Sequence, residues 1–259
     1  MCTTCGCGPE DLLDHIHDHG HDQKHGHRHD HAHRSHDHHD GKRTVIAIEE
    51  DILAKNNKLA SFNRALFKDK GIFVLNLVSS PGSGKTTLLE RTLCDMAGKL
   101  RFAVIEGDQQ TDNDARRIAA TGVAVRQINT GAGCHLDAHQ VMHGTDGFDL
   151  DSLDVLMIEN VGNLVCPAAF DLGEHHKVAV LSVTEGEDKP LKYPQMFRNS
   201  TVMLLNKTDL LPHLDFDVEK CKENARRVNP AITIFEVSAR SGEGMEAWYQ
   251  WLRSGAVKS

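Results

Sequence analysis

Ser79-Ser80-Pro81-Gly82-Ser83-Gly84-Lys85-Thr86-Thr87 follows an apolar run over 72–78 and opens a helical pattern over 85–97. A glycine-rich turn between a buried strand and a helix N-terminus turns backbone N–H groups, and the positive end of the helix dipole, toward an anion. Gly82 and Gly84 give the turn its freedom, and Ser80, Ser83 and Thr87 complete the phosphate-facing loop. Lys85 is placed to reach the β and γ phosphates of a nucleotide, and Thr86 to offer its hydroxyl to Mg(II). The pattern's first glycine is Ser79 here, but the Gly-Lys-Thr end that makes most of the phosphate contacts is intact.

Working outward, apolar runs at 72–78, 102–106, 123–128, 153–158, 177–183, 201–205 and 232–237 read as strands buried on both faces. Helical patterns at 85–97, 112–121, 136–144, 217–228 and 244–253 separate several of them. That alternation predicts an α/β fold, a P-loop domain over 71–255 whose mainly parallel sheet is flanked by helices. Upstream, Ile52, Leu59, Phe62 and Leu66 recur at helical spacing, so 49–68 reads as an amphipathic helix within a lead-in segment 44–70.

Asn206-Lys207-Thr208-Asp209 lies at the C-terminal end of the run Val202-Met203-Leu204-Leu205, the end at which open α/β sheets bind ligands. The Asp209 carboxylate can accept hydrogen bonds from the N1–H and 2-amino group of guanine, a donor pair that adenine lacks. Ser238-Ala239-Arg240, after the last strand, resembles the loop whose backbone meets the guanine oxygen in GTPases. GTP and GDP are therefore the expected ligands, with Asn206, Lys207, Asp209, Ser238 and Ala239 at the base. Two acidic strand ends complete a hydrolytic site. Asp108, in Glu106-Gly107-Asp108, is expected to position metal or water, and Glu159, in Glu159-Asn160-Val161-Gly162, to hold Mg(II) with Thr86. Either acid can alternatively cap the helix that follows. Lys85, Asp108 and Glu159 form the expected catalytic set.

The formal charge of −8 over 259 residues argues against a nucleic-acid binder, which carries a basic face. No apolar run approaches the roughly twenty residues that span a bilayer. A signal peptide's basic-then-apolar order is also missing from the N-terminus, so a cytoplasmic protein without membrane partners is expected. In that compartment seven cysteines read as thiols or metal ligands rather than disulfides. Cys2, Cys5 and Cys7 crowd the terminus, and twelve histidines follow between His15 and His39. Residues 8–43 hold too little apolar surface to offset the entropy of folding, and so read as a disordered metal-binding tail. Three thiolates close in sequence, with a backbone or terminal nitrogen, can lie in the plane that Ni(II) prefers, whereas Zn(II) prefers a tetrahedron. Cys134, His135 and Cys166 make a credible Zn(II) or Ni(II) set; two unrelated buried cysteines are the competing reading, as for Cys94 and Cys221.

The terminal Cys-Thr-Thr-Cys-Gly-Cys, the histidine run, Ser-Pro-Gly-Ser-Gly-Lys-Thr-Thr, Glu-Gly-Asp, Cys-His, Glu-Asn-Val-Gly-Asn-Leu-Val-Cys-Pro and Asn-Lys-Thr-Asp together resemble the HypB family. These are GTPase accessory proteins that help insert nickel into NiFe hydrogenase. The resemblance covers nearly the whole chain. It implies a tight Ni(II) site on Cys2, Cys5 and Cys7 (segment 1–7) and a weaker Ni/Zn site on Cys134, His135 and Cys166. It implies a homodimer when GTP is bound, with Leu210, Leu211 and Leu214 contributing. The implied partners are a HypA-like nickel accessory protein and a hydrogenase large-subunit precursor. Nickel storage by the histidine run, or service as a related GTPase metallochaperone for another metalloenzyme, are the alternatives.

Overall fold

The computed structural model describes residues 40–109 and 112–257. The Cys2/Cys5/Cys7 motif and the histidines of His15–His39 lie outside the described residues. Among the described residues, seven strands form one sheet: β1 (Phe73–Ser79), β2 (Phe102–Asp108), β3 (Ala124–Asn129), β4 (Val155–Gly162), β5 (His176–Ser182), β6 (Val202–Asn206) and β7 (Thr233–Glu236). Their order is β3-β2-β4-β1-β5-β6-β7, and every pairing is parallel. All seven overlap the predicted runs, with β4 continuing to Gly162, four residues beyond the predicted end.

Period-two alternation explains how the sheet is covered on both faces. Phe73, Leu75 and Leu77 of β1 join Val155 and Met157 of β4 in a core with α2 (Lys85–Asp95) and α8 (Met245–Gly255). Val74, Leu156 and Ile158 enter a second core with Phe67, Leu136, Val141 and Leu172. A third packs Val78, Ala179 and Leu205 against α6 (Pro194–Asn199) and α7 (Val218–Val228). Burying each such aliphatic side chain is worth roughly 1.5–3 kcal/mol. β3 and β7 correct the expectation of strands buried on both faces. As sheet edges they have one strand neighbour each and stay half-buried or exposed along their length.

Further differences are instructive. The first helix, α1, spans Asp40–Asp69, so it begins upstream of the predicted 49–68 and includes residues read as part of the 8–43 tail. By contact density the chain divides within this helix, Met1–Asp51 forming one unit and Ile52–Ser259 the other. In the larger unit the buried face of α1 is Asn56, Ala60, Asn63 and Phe67, while Ile52 and Phe62 are 48% and 59% exposed. Two asparagines displace the apolar stripe because each satisfies buried backbone. Asn56 Oδ1 accepts from Ala138 N while its Nδ2 donates to Asp171 O, and Asn63 Nδ2 donates to Ala138 O and Leu172 O. Two short helices, α5 (Lys189–Lys192) and α6, follow β5 without having been predicted. Cys221 is buried as expected, but Cys94 is exposed. Among the described residues no helix is long and apolar enough to cross a membrane.

His175 and His176 set a pH dependence of stability. His175 Nδ1 accepts a hydrogen bond from Val74 N at 3.0 Å, which an imidazolium cannot do. His176 packs edge-on to Phe73 and Trp251. Burial, followed by the charge of Arg64 for His175 and of His175 for His176, holds both below the ordinary 6.5. The unfolded chain therefore takes up protons first as pH falls through about 6.5, and stability is lost on the acid side. The melting temperature is expected to fall between neutral and mildly acidic pH. The drop should shrink in a His175→Gln/His176→Gln variant; an unchanged profile would remove this account.

Candidate nucleotide and metal sites

The phosphate loop connects β1 to α2. Gly82 and Gly84 take φ of 77° and 90°. A Cβ on Gly84 would lie 2.7 Å from Asn206 Nδ2, so this glycine answers both a left-handed backbone and a close approach. Ser80, Gly82, Ser83, Gly84, Lys85, Thr86 and Thr87 line a cavity of about 520 Å³ together with Asp114, Arg117, Gly162 and Lys207. Asp114 and Arg117 were not singled out in the sequence; both come from α3 (Asn113–Ala119), packed beside α2. The Arg117 guanidinium is held by Glu90, Asp114 and the Thr87 hydroxyl.

Lys85 Nζ lies 2.9 Å from Glu159 Oε1, and Thr86 Oγ1 lies 2.7 Å from the same oxygen and 3.0 Å from Asp114 Oδ2. Glu159 therefore meets Thr86, with which it was expected to hold Mg(II), and also Lys85. Asp108 ends β2, where its Oδ1 accepts from Gln109 N. The sequence reading overlooked Glu106. Strand register sets it opposite Glu159, and both are nearly fully buried. Glu106 Oε2 and Glu159 Oε2 are buried without hydrogen-bond partners. Burial first, then the charges of Glu159 and Asp108, push the Glu106 carboxyl up to about 8. Buried oxygens without donors, next to a threonine hydroxyl, suit a hard divalent cation, so these residues fit Mg(II).

Glu106 carries a prediction. The folded, metal-free protein keeps it protonated to about 8, whereas an unfolded glutamate ionises near 4.5. Stability is thus lost as pH rises between those values. Glu106→Gln is expected to melt higher than the parent at pH near 8 without metal, the gap closing as pH is lowered. Mg-supported nucleotide turnover should fall. Equal melting temperatures across that range would contradict the assignment.

A second cavity, of about 220 Å³, is lined by Gly84, Thr87, Asn206, Lys207, Asp209, Leu210, Ala239 and Arg240. Asn206 staples its walls: Nδ2 donates to Ser83 O, and Oδ1 accepts from Ala239 N. Lys207 takes a φ of 65°, the one positive value outside glycine among the described residues, and its Nζ donates to Gly82 O at 2.7 Å. The buried Ser238 hydroxyl donates to Asp209 Oδ1 at 2.6 Å, orienting that carboxylate. The predicted base-binding residues therefore meet at one opening. Leu210 and Leu211 are half-buried against the third core, and Leu214 is exposed.

Cys134, His135 and Cys166 converge: one ligand atom from each lies within 4.8 Å of the others. Cys134 and His135 precede α4 (Ala138–Gly144), whose capping box on Asp137 and Gln140 fixes the turn. Cys166 opens a 3₁₀ turn, Cys166–Ala168. Burial holds the His135 imidazole below its ordinary value, which keeps a nitrogen lone pair for a metal, and its ring packs at a tilt against Phe170, the ring centroids 3.9 Å apart. His139 and His143 pack edge-on to each other as exposed α4 residues, outside this cluster. Two thiols and a neutral imidazole are donors that Zn(II) and Ni(II) both accept.

A family model described as "CobW/HypB/UreG, nucleotide-binding domain" matches residues 73–236. The chain is 66% identical over 209 residues to the hydrogenase maturation factor HypB of Azotobacter vinelandii, covering 80% of this chain and 69% of that protein. To HypB of Escherichia coli K12 it is 62% identical over 213 residues, covering 82% and 73%. The crystal structure of HypB from Helicobacter pylori in complex with nickel superposes with a TM-score of 0.74 at 39% identity, over 78% of this chain and 95% of that one. The Archaeoglobus fulgidus HypB structure gives 0.73 at 39% identity, over 78% and 99%.

Proposed function

This chain belongs to the HypB family of hydrogenase maturation factors, and from that membership we propose that it is a GTP-hydrolysing nickel metallochaperone. It binds Ni(II) and helps insert it into a NiFe hydrogenase, working with a HypA-like accessory protein and the hydrogenase large-subunit precursor. The observation that carries the reading is the joining, through β4 and its extension, of Glu159 at the phosphate loop to Cys166 at the thiol cluster.

In the nucleotide cavity, loop N–H groups, Lys85 and the α2 terminus bind phosphates, and Asp209, oriented by Ser238, reads guanine. Thr86 and Glu159, with Asp108, would hold Mg(II), which would offset phosphate charge. Asp108 orients the attacking water. The arginine lining the cavity, Arg117, is already engaged by Glu90 and Asp114, so intrinsic turnover is slow. Exchange of GTP for GDP moves the segment after Gly162, altering the position of Cys166, the metal affinity and the dimer state, with Leu210, Leu211 and Leu214 at the dimer contact. Cys2, Cys5 and Cys7 form a separate tight nickel site, and the His15–His39 run a reservoir. The protein is cytoplasmic.

Steady-state turnover with GTP and with ATP tests the enzymatic part. A site built on Asp209 should favour GTP in kcat/KM by at least about a thousandfold. Comparable values would remove the guanine reading.

A further inference from the structure

Lys177 sits on β5 with 6% of its surface exposed, a costly place for an ammonium. Its Nζ donates to the carbonyls of Pro167, Ala168 and Phe170 at 2.8, 3.2 and 3.0 Å. Those residues continue the turn begun by Cys166, and Phe170 is the ring against which His135 packs at a tilt. One cation therefore gathers the carbonyls that follow one thiol ligand and holds the aromatic wall of the imidazole ligand.

The same ammonium begins a buried polar chain. Glu174 Oε1 lies 3.9 Å from Lys177 Nζ and accepts from Asn76 Nδ2 at 3.1 Å. Asn76 Oδ1 accepts from Asn160 Nδ2 at 3.3 Å, and Asn160 Oδ1 accepts from Leu136 N at 3.0 Å, one residue beyond His135. Asn160 follows Glu159 at a β-bulge: between Leu77 and Ser79 of β1, β4 runs one residue longer, from Glu159 to Gly162. Bulges of this kind re-aim side chains beside functional sites. The chain thus touches both halves of the thiol–imidazole cluster and ends at the strand end that holds Lys85 and Thr86.

We propose that Lys177 is a positioning residue of the Cys134/His135/Cys166 centre, its three carbonyl contacts setting where Cys166 Sγ and the His135 ring stand. This rests on the reading of those three residues as a metal centre. The chemistry is that of an outer partner that orients ligands without binding metal, whose loss costs about 10–100-fold in affinity.

The test uses the full chain carrying Cys2→Ala, Cys5→Ala and Cys7→Ala, titrated with Ni(II) and followed by the thiolate-to-nickel charge-transfer band, to which histidines contribute nothing. In this background, a band lost on Cys166→Ala establishes the centre. Absence of any such band overturns the metal-centre reading and this inference with it. With the band present, Lys177→Met should weaken Ni(II) binding about 10–100-fold and shift the band, while GTP turnover without nickel stays unchanged. Because Lys177→Met leaves the Glu174 charge without its neighbour, Lys177→Met/Glu174→Gln serves as the balanced variant, neutralising both. A folded balanced variant whose band and affinity match the parent overturns the role of Lys177 while leaving the centre in place.

Discussion

Asp209→Asn loses GTP turnover and gains turnover of xanthosine triphosphate. The carboxylate accepts two hydrogen bonds from guanine N1–H and the 2-amino group; the carboxamide keeps one acceptor and turns an N–H₂ toward a position where guanine also donates. Xanthine carries a carbonyl there, which accepts from that amide. The Ser238 hydroxyl, 2.6 Å from Asp209 Oδ1, keeps an oxygen acceptor in the variant, so the swap preserves geometry while inverting one donor. A site left with mismatched buried polar groups discriminates by about 10⁴-fold. The expected result is a fall of that order in kcat/KM for GTP, with xanthosine triphosphate becoming the better substrate. Parallel loss of both nucleotides would mean that Asp209 supports the fold rather than reading the base.

Cys166→Ala empties the internal metal centre while sparing GTP binding. The loss should exceed the about 10–100-fold cost of removing an outer partner, because one of three protein donors disappears. Cys166→Ser separates size from chemistry: a serine oxygen fills the same space but is a harder ligand, so nickel affinity should remain low. Equilibrium Ni(II) titration in the Cys2→Ala/Cys5→Ala/Cys7→Ala background, beside GTP turnover without nickel, reads both outcomes. Retained affinity in Cys166→Ala would leave Cys134 and His135 to be explained by packing alone.

The particular residues show why sequence was informative for some features and silent for others. The phosphate loop and Asn206–Asp209 were legible because their chemistry is local: glycines at positive φ, a lysine and a threonine at fixed spacing, an aspartate at a strand end. The five inner strands were legible because burial on both faces leaves largely unbroken apolar runs. Glu106 was not, since its role depends on lying across from Glu159, a register set by strand pairing. Lys177 read as the polar start of an apolar strand, because the carbonyls it serves belong to a turn ten residues earlier and less. The face of α1 was misassigned for a related reason. Asn56 and Asn63 are polar by composition, yet tertiary hydrogen bonds make theirs the buried side. The helices α5 and α6, four and six residues long, are too short to show a helical period.

The geometry also brings together two sites that the sequence showed separately, nucleotide and metal. Cys166 stands four residues beyond Gly162, and Asn160 links the strand end at Glu159 to the backbone beside His135. Both connections run through the segment that follows Glu159. Coupling of this kind is a free energy shared between two sites, and it acts equally in either direction.

The most direct test measures Ni(II) affinity at the internal centre, in the full chain lacking the three terminal thiols, saturated with either GDP or a non-hydrolysable GTP analogue. The account predicts affinities that differ by at least about fivefold, and a difference that vanishes in Cys166→Ala. Identical affinities in the two nucleotide states would contradict it.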